Sequence, residues 1–287
     1  MKHVLFAVAL VTGTLGLTGS AAAGITVPKA YSGNNALIAF TRANPPHSLQ
    51  LTGITRGHAP HVVVKGAHEV AGPVHADVVA TSGLTGYLDQ AAPGVRFTFV
   101  RTYFNVPSVS SSTGCNGNPA DGSVIQLVGL DYQGAGVAEV GCNGVTTADF
   151  FYNVAGYGAF YYSGVNPGDA IEASITVNSA SEYVLQVKDL STGGLLEVTM
   201  GCQRGSCPDS TAEVISQAQN LTGGVMPDFT MINYTGSAVE ANFGKFKGNL
   251  ATKRGKWTSE ALEEQSPSVV TPSALQGGRA FSNTWVS

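Results

Sequence analysis

The sequence predicts an all-β protein, a two-sheet antiparallel β-sandwich, and three observations lead there. Short runs of strand composition recur at close spacing from Val95 onward. Glycine is abundant at 36 residues, which suits tight turns between such runs. Charged residues make up only 12% of the chain, about half the usual share of roughly 25%. Amphipathic helices need charged outer faces, so this composition favours pleated strands. The chain's 287 residues are enough for one large β domain or two small ones. Its net charge of −4, with no Lys/Arg cluster, gives nothing to draw it to nucleic acid.

Residues 1–23 read as a signal peptide. Lys2 and His3 form a short basic start, an apolar stretch runs from Val4 to about Leu17, and Ser20-Ala21-Ala22-Ala23 supplies small residues for cleavage. Gly and Thr interrupt the apolar stretch, and no later segment reaches the roughly 20 apolar residues of a membrane helix. The expected location is therefore secreted, without a membrane span.

Residues 24–80 differ from the rest of the chain. They hold His47, His58, His61, His68 and His75, five of the six histidines. Lys29, Arg42, Arg56 and Lys65 stand against Glu69 and Asp77, a net +2, whereas residues 81–287 carry 10 basic and 17 acidic side chains, a net −7. Pro45-Pro46, Pro60 and Pro73 make this leader poor in regular structure. The expectation is a largely irregular pro-segment attracted to the domain 81–287 by opposite charge, released in acid once the domain's carboxylates take up protons.

Within the domain, Phe97 to Phe104 and Ser123 to Leu130 have strand composition. Ile171 to Val177 roughly alternates apolar and polar side chains. Tyr183, Leu185 and Val187 share one face of a strand, Ser191-Thr192-Gly193-Gly194 turns the chain, and Leu195 to Met200 returns it as a hairpin. Further runs lie at Phe229–Tyr234, Ala238–Phe246 and Phe281–Val286. Ser210–Asn220 admits two readings, because Ser210-x-x-Glu213 also fits a helix capping box.

Cys115, Cys142, Cys202 and Cys207 are an even set in an exported chain, so they are expected to pair. Three pairings are possible; spacing favours Cys202–Cys207 as a local loop, leaving Cys115–Cys142. A zinc site is the weaker alternative, since no C-x-x-C spacing exists and no histidine lies after His75.

Most catalytic signatures are absent: H-E-x-x-H, G-x-S-x-G and G-x-x-x-x-G-K-[ST] do not occur. The domain 81–287 has no histidine, so it holds neither a Ser-His-Asp triad nor a Cys-His pair. Any acid–base work there falls to carboxyl groups. His58-x-x-His61 with His68 has metal-ligand character, but exposed titrating histidines in a leader are the simpler reading. No cofactor and no metal are expected.

Several stretches, in one order, resemble the glutamic peptidase (eqolisin) family. Asn105-Val106-Pro107-Ser108 resembles the close of its early strand, and Leu127-Val128-Gly129-Leu130-Asp131 resembles its W-V-G-I-D. Val137-Ala138-Glu139-Val140-Gly141 falls where the family has I-L-Q-T-G. Asn166-Pro167-Gly168-Asp169-Ala170-Ile171 resembles S-P-G-D-S-I, and Thr211-Ala212-Glu213-Val214-Ile215 resembles N-A-E-F-I, which carries the catalytic Glu. Pro227-Asp228-Phe229, Thr271 to Leu275 and Phe281 to Trp285 complete a match over about 200 residues. The resemblance implies a sandwich of the concanavalin-like lectin/glucanase architecture, a peptide or protein substrate, and hydrolysis in which a Glu activates water and a Gln amide stabilises the oxyanion. On that basis Glu213 is the expected catalytic Glu, Glu139 stands where the Gln belongs, and Asp131 keeps a supporting Asp.

The chain also departs from the family. Leu84 and Leu127 stand where the family has Trp, and the aromatic strand A-W-Y-E-W-Y-P becomes Asp149-Phe150-Phe151-Tyr152-Asn153-Val154. Two functions are then expected. The first is a secreted acid endopeptidase in which Glu139 and Glu213 meet on the concave face and share a proton, Glu139 replacing the Gln amide as donor while protonated. The second is a non-catalytic exported sandwich that binds peptide or glycan.

Overall fold

The computed structural model describes residues 50–56, 77–81, 83–110, 122–131, 133–154, 158–179, 182–201, 209–218, 226–264 and 269–286. Those residues form seventeen β-strands arranged as two sheets. The first sheet runs β1 (Gln50–Arg56), β11 (Gly194–Gly201), β10 (Glu182–Asp189), β9 (Ala170–Ser179), β4 (Phe97–Asn105), β13 (Ile232–Ala241) and β14 (Phe246–Gly248). The second runs β8 (Gly158–Val165), β7 (Val145–Val154), β6 (Gln133–Cys142), β5 (Ser123–Leu130), β12 (Thr211–Ala218), β3 (Leu84–Ala91), β15 (Trp257–Glu264) and β2 (Asp77–Thr81). All of these pairings are antiparallel except β15 with β2. The fold is the expected antiparallel sandwich.

One apolar core fills the space between the sheets. From the first sheet come Val100, Phe104, Ile171, Ile175, Tyr183, Leu185, Leu196 and Val198; from the second come Val124, Val128, Val137, Phe150, Val214 and Tyr87. The alternation is visible in β10 and β11, where every second residue is buried and its neighbours are half-buried or exposed. That pattern is what one solvated face produces. In β5 every residue is buried, and in β6 all but Cys142, so both of their faces are covered.

The sheets join through β13. Its first residues, Ile232–Tyr234, pair with β17 (Phe281–Val286), and β17 pairs with β16 (Val269–Pro272), which bridges to β15. From Thr235 the same strand pairs with β4 of the first sheet. The register shifts between Thr235 and Ala238, and Gly236 sits there at φ +60. A bulge with a left-handed glycine bends a strand, which lets one strand serve two sheets.

Of the two readings of Ser210–Asn220, the described residues take the strand: Thr211–Ala218 is β12, a central strand between β3 and β5. Its ladders on both sides satisfy the backbone groups that a helix would satisfy internally, and Ser210 donates to Asp131 instead of capping. Among the described residues of the leader, β1 lies at the edge of the first sheet and β2, which begins there, at the edge of the second. Residues 1–49 and the five leader histidines lie outside the described residues. Cys142 is disulfide-bonded, while Cys115, Cys202 and Cys207 lie outside the described residues. Among these residues no helix is long and apolar enough to cross a membrane.

Candidate active site on the outer face of the second sheet

Opposed residues in an antiparallel ladder share a face, and successive residues alternate faces. The registers therefore define rows across the second sheet. One row holds Glu260, Leu88, Glu213, Gly129, Gly134 and Asn153, on β15, β3, β12, β5, β6 and β7. The next row holds Leu262, Gly86, Ile215, Leu127, Gly136 and Phe151, continued by Tyr161 on β8. Both rows lie on the face away from the inter-sheet core. Leu262, Ile215, Leu127, Phe151 and Tyr161 belong to a second, separate apolar cluster on this face.

Glu213 stands beside this cluster, half-buried. Its carboxyl lies over Gly129, where an added Cβ would come within 2.2 Å of Oε1. Only glycine leaves room for it. The next position in the row, Gly134, would take a Cβ without a clash. A Cβ there would meet nothing closer than 3.7 Å, its nearest neighbours being Asn153 Cβ, Phe151 Cε1 and Leu127 Cδ1. Two opposed glycines thus stand between Glu213 and Asn153 in this row.

Asp131 fixes the strand that carries Glu213. It sits at the β5–β6 turn with φ 48, a left-handed conformation that Asp tolerates better than most residues. Its carboxylate accepts hydrogen bonds from Ser210 N (3.0 Å) and Oγ (2.9 Å) and from Thr211 N (3.0 Å) and Oγ1 (3.1 Å). Its own N–H donates to Thr211 O at 3.2 Å. These bonds tie the hairpin tip to the start of β12, two residues before Glu213.

The electrostatics of the site come from that placement. Burial pushes the Glu213 carboxyl up to about 7, and the negative charge of Asp131 acts in the same direction. A carboxyl with a pKa near 7 takes and gives protons around neutral pH.

Glu139 is elsewhere. It opposes Val124 on β5 and Ala148 on β7, both of which belong to the inter-sheet core. It is fully buried on the inner face, and among the described residues no donor reaches its oxygens in hydrogen-bond geometry. Burial raises its carboxyl well above the ordinary range; the nearby Gln126 amide pulls it down, but less. Gln126 is itself held in a polar network, its Oε1 accepting from Ser216 Oγ (2.5 Å) and Tyr234 Oη (2.6 Å), with Asn283 Nδ2 donating to Ser216 Oγ at 2.9 Å. The expected meeting of Glu139 and Glu213 is thus corrected, since the two stand on opposite faces of one sheet. With the pair goes the reason for activity confined to acid.

The structure brings Asp131 and Glu213 together and leaves Glu139 apart. Sequence reasoning missed Gly129, Gly134 and Asn153 as parts of the site. Counting alternate residues from Asp149 through Phe151 to Asn153 puts Asn153 on the same face of β7 as Phe151. No group of three His, Cys, Asp or Glu among the described residues is placed to hold a metal. A cleft lined by Thr146, Asp149, Ser163 and Thr192 opens near the far end of β7 and does not include Glu213.

Comparison with known proteins agrees with this architecture. The Peptidase A4 family model matches residues 82–285. Among solved structures, scytalido-glutamic peptidase with a peptide-based transition state analog is 19% identical, with a TM-score of 0.52 over 71% of this chain and 98% of that one. SCP-B, a member of the eqolisin family of peptidases in complex with the tripeptide Ala-Ile-His, is 19% identical, with a TM-score of 0.50 over the same shares. No curated protein sequence matches the chain.

Proposed function

Because the chain belongs to the peptidase A4 family, the glutamic-type endopeptidases, we propose that it is an exported peptidase in which Glu213 is the general base and Asp131 its supporting carboxyl. The observation that carries this reading is the Glu213 carboxyl, lying over Gly129 on the outer face of the second sheet and raised to about 7 by burial and by Asp131. An ionised Glu213 takes a proton from a water as the water oxygen bonds to the peptide carbonyl carbon. When the C–N bond breaks, the same proton passes to the leaving amine. Asp131 supports the step in two ways: its hydrogen bonds hold β12 in place, and its charge adds to burial in keeping the base near neutral rather than near 4.5. The carboxyl pair of this proposal is therefore Glu213 with Asp131, and the pH dependence of a base applies. Activity rises as Glu213 ionises, through pH of about 7.

Export is supported by the signal-like N-terminus and by a disulfide at Cys142, a bond that persists in oxidising compartments. The leader remains the proposed pro-segment, and its strand β1 along β11 is in keeping with a segment that docks on the domain. N-terminal sequencing of secreted protein after acid treatment checks this; a start at Gly24 in every sample would count against it.

The test of the enzyme reading is digestion of a denatured protein by the purified domain across pH 3–9, with Glu213→Gln as control. The expected result is cleavage that the substitution reduces by at least about 10²-fold. Equal rates for both proteins, or no cleavage at any pH, would give the place to the binding-module reading.

A further inference from the structure

We infer that the β13–β14 hairpin and the turn into β15 form a surface that docks on anionic lipid headgroups, with Phe243 entering the apolar layer beneath them. The inference is independent of the chemistry at Glu213.

Charge is its first support. Lys245, Lys247, Lys253, Arg254 and Lys256 are five of the ten basic side chains of residues 81–287, and positions 241–259 hold no acid. The other five basic residues of the domain stand against all 17 of its acids. Only Lys253 and Arg254 are neighbours in the chain; the fold gathers the rest. Lys247 lies on β14, which pairs with β13. Lys253 bridges to Trp257 at the start of β15, and its Nζ donates to Lys247 O. Lys256 Nζ stands 4.0 Å and Lys245 Nζ 5.6 Å from the centroid of the Phe246 ring, and Lys253 Nζ 5.3 Å from that of Trp257. Ring faces attract cations, so two rings gather three ammonium groups. Glu240, 3.0 Å from Lys247 Nζ, is the acid paired with them. Five cations against that one acid leave +4.

The hairpin tip is the second support. Ala241 pairs with Phe246, so residues 242–245 make the turn. Phe243 is 60% exposed there, at φ 56. A bulky side chain in the left-handed region is strained, and an exposed ring offers little packing to offset that strain. The neighbours impose the conformation. Asn242 N donates to Arg96 O and Arg96 N to Asn242 Oδ1, both at 2.8 Å. Phe243 N donates to Thr98 Oγ1 at 3.1 Å, and Lys245 N to Asn242 O at 3.2 Å. Backbone strain held in this way clusters at ligand clamps and other functional sites. The tip is a fixed mount that presents one aromatic ring beside the exposed Lys245 and Lys247.

Together these features select the occupant. Four of the five cations are Lys, point charges on flexible stems that suit diffuse negative charge better than one fixed geometry. An anionic bilayer offers such charge at its surface, and an aromatic ring settles at the junction of headgroups and acyl chains. A soluble polyanion satisfies the cations and leaves the ring in water, whereas a lipid surface satisfies both.

The experiment is co-sedimentation of the full chain with vesicles at about pH 8, where the leader histidines are neutral. The vesicles are equimolar phosphatidylcholine and phosphatidylglycerol, or phosphatidylcholine alone. Wild type should bind the anionic vesicles and not the neutral ones, and should release in about 1 M salt, where the Debye length shrinks to about 3 Å. Each Lys or Arg near such a surface contributes about fivefold in affinity, so Lys245→Gln/Arg254→Gln should bind about 25-fold more weakly. Phe243→Asn removes the ring and supplies a residue that tolerates the left-handed backbone. It should bind the vesicles about tenfold more weakly, keep its affinity for soluble dextran sulfate, and melt no lower than wild type. Wild-type binding without preference for anionic vesicles, a double variant that binds like wild type, or unaltered vesicle affinity in Phe243→Asn would overturn the inference. Binding to dextran sulfate without binding to vesicles would also overturn it and assign the surface to an acidic glycan.

Discussion

Glu139 and Glu213 stand on strands of the same sheet, separated only by β5, and face opposite ways. Burial raises both carboxyls, yet the surroundings divide their roles. Glu139 points into a closed core, among Val124, Ala148 and the Gln126–Ser216–Tyr234 network. Burial is what raises it, against the pull of the Gln126 amide. Glu213 lies over a glycine, next to a second glycine, with Asp131 adding to its shift. The first arrangement stores a neutral acid in the core. The second holds an acid, half-buried, on the outer face of the sheet. A raised pKa alone marks burial; a raised pKa on a half-buried outer face with a neighbouring charge marks a candidate base.

The comparison breaks most sharply at the two glycines of the row. Gly129→Ala would place a methyl group 2.2 Å from Glu213 Oε1 and must displace the carboxyl. A misplaced catalytic group loses about 10²-fold in rate, and peptide hydrolysis by Gly129→Ala should fall by that order. Gly134→Ala, whose Cβ would meet nothing closer than 3.7 Å, should leave the Glu213 carboxyl in place and the ascending limb of kcat/KM unmoved. A displaced limb in Gly134→Ala, or an unaltered rate in Gly129→Ala, would contradict the placement of the carboxyl.

Stability against pH gives the next largest effect. Burial raises Asp89, Glu139, Asp149, Asp209 and Glu213 above their ordinary values. Between its unfolded and folded pKa, such a carboxyl keeps a proton in the native state that the unfolded chain has lost. Stability therefore falls as pH rises through that window. These groups add no penalty below about pH 4. The Glu213 share is complete above about 7, and the Glu139 share extends higher. Chemical denaturation at pH 4, 6 and 8 should show the protein most stable in acid. Glu139→Gln should flatten that slope, gaining about 1–3 kcal/mol at pH 8. A wild type that becomes more stable from pH 4 to 8 would mean that these carboxyls are not buried neutral.

The smallest effect sharpens the outer face. Asp131→Asn keeps an acceptor for Ser210 and Thr211 but removes the charge that raises Glu213. The ascending limb of kcat/KM should move down by roughly half a unit to one unit. A limb that stays at its wild-type position would assign the Glu213 shift to burial alone.

How much of this was legible in the sequence depended on how each strand is covered. The β10–β11 hairpin was readable because one of its faces is solvated, so Tyr183, Leu185 and Val187 alternate with polar residues. In β5 and β6 both faces are covered, and Ala138, Val140, Val137 and Ala135 are all apolar. Nothing in that run says which residues look inward. A one-residue slip in such a strand turns a side chain to the other face, so a match of Glu139 to the family's pattern along the chain leaves open which face it takes. Glu213 was found because its segment keeps a recognisable pattern, although its local capping box also allowed a helix. The rest of the site is a row across four strands spanning positions 129 to 213. Only the pairing registers bring those residues together.

The most direct test of the division between the two faces is the pH–rate profile of Glu139→Gln, measured beside wild type on one peptide substrate. The account predicts superimposable kcat/KM profiles with an ascending limb near pH 7, because Glu139 faces the core and Glu213 the outer face. Loss of activity in a folded Glu139→Gln, or a displaced limb, would contradict it and return Glu139 to the chemistry.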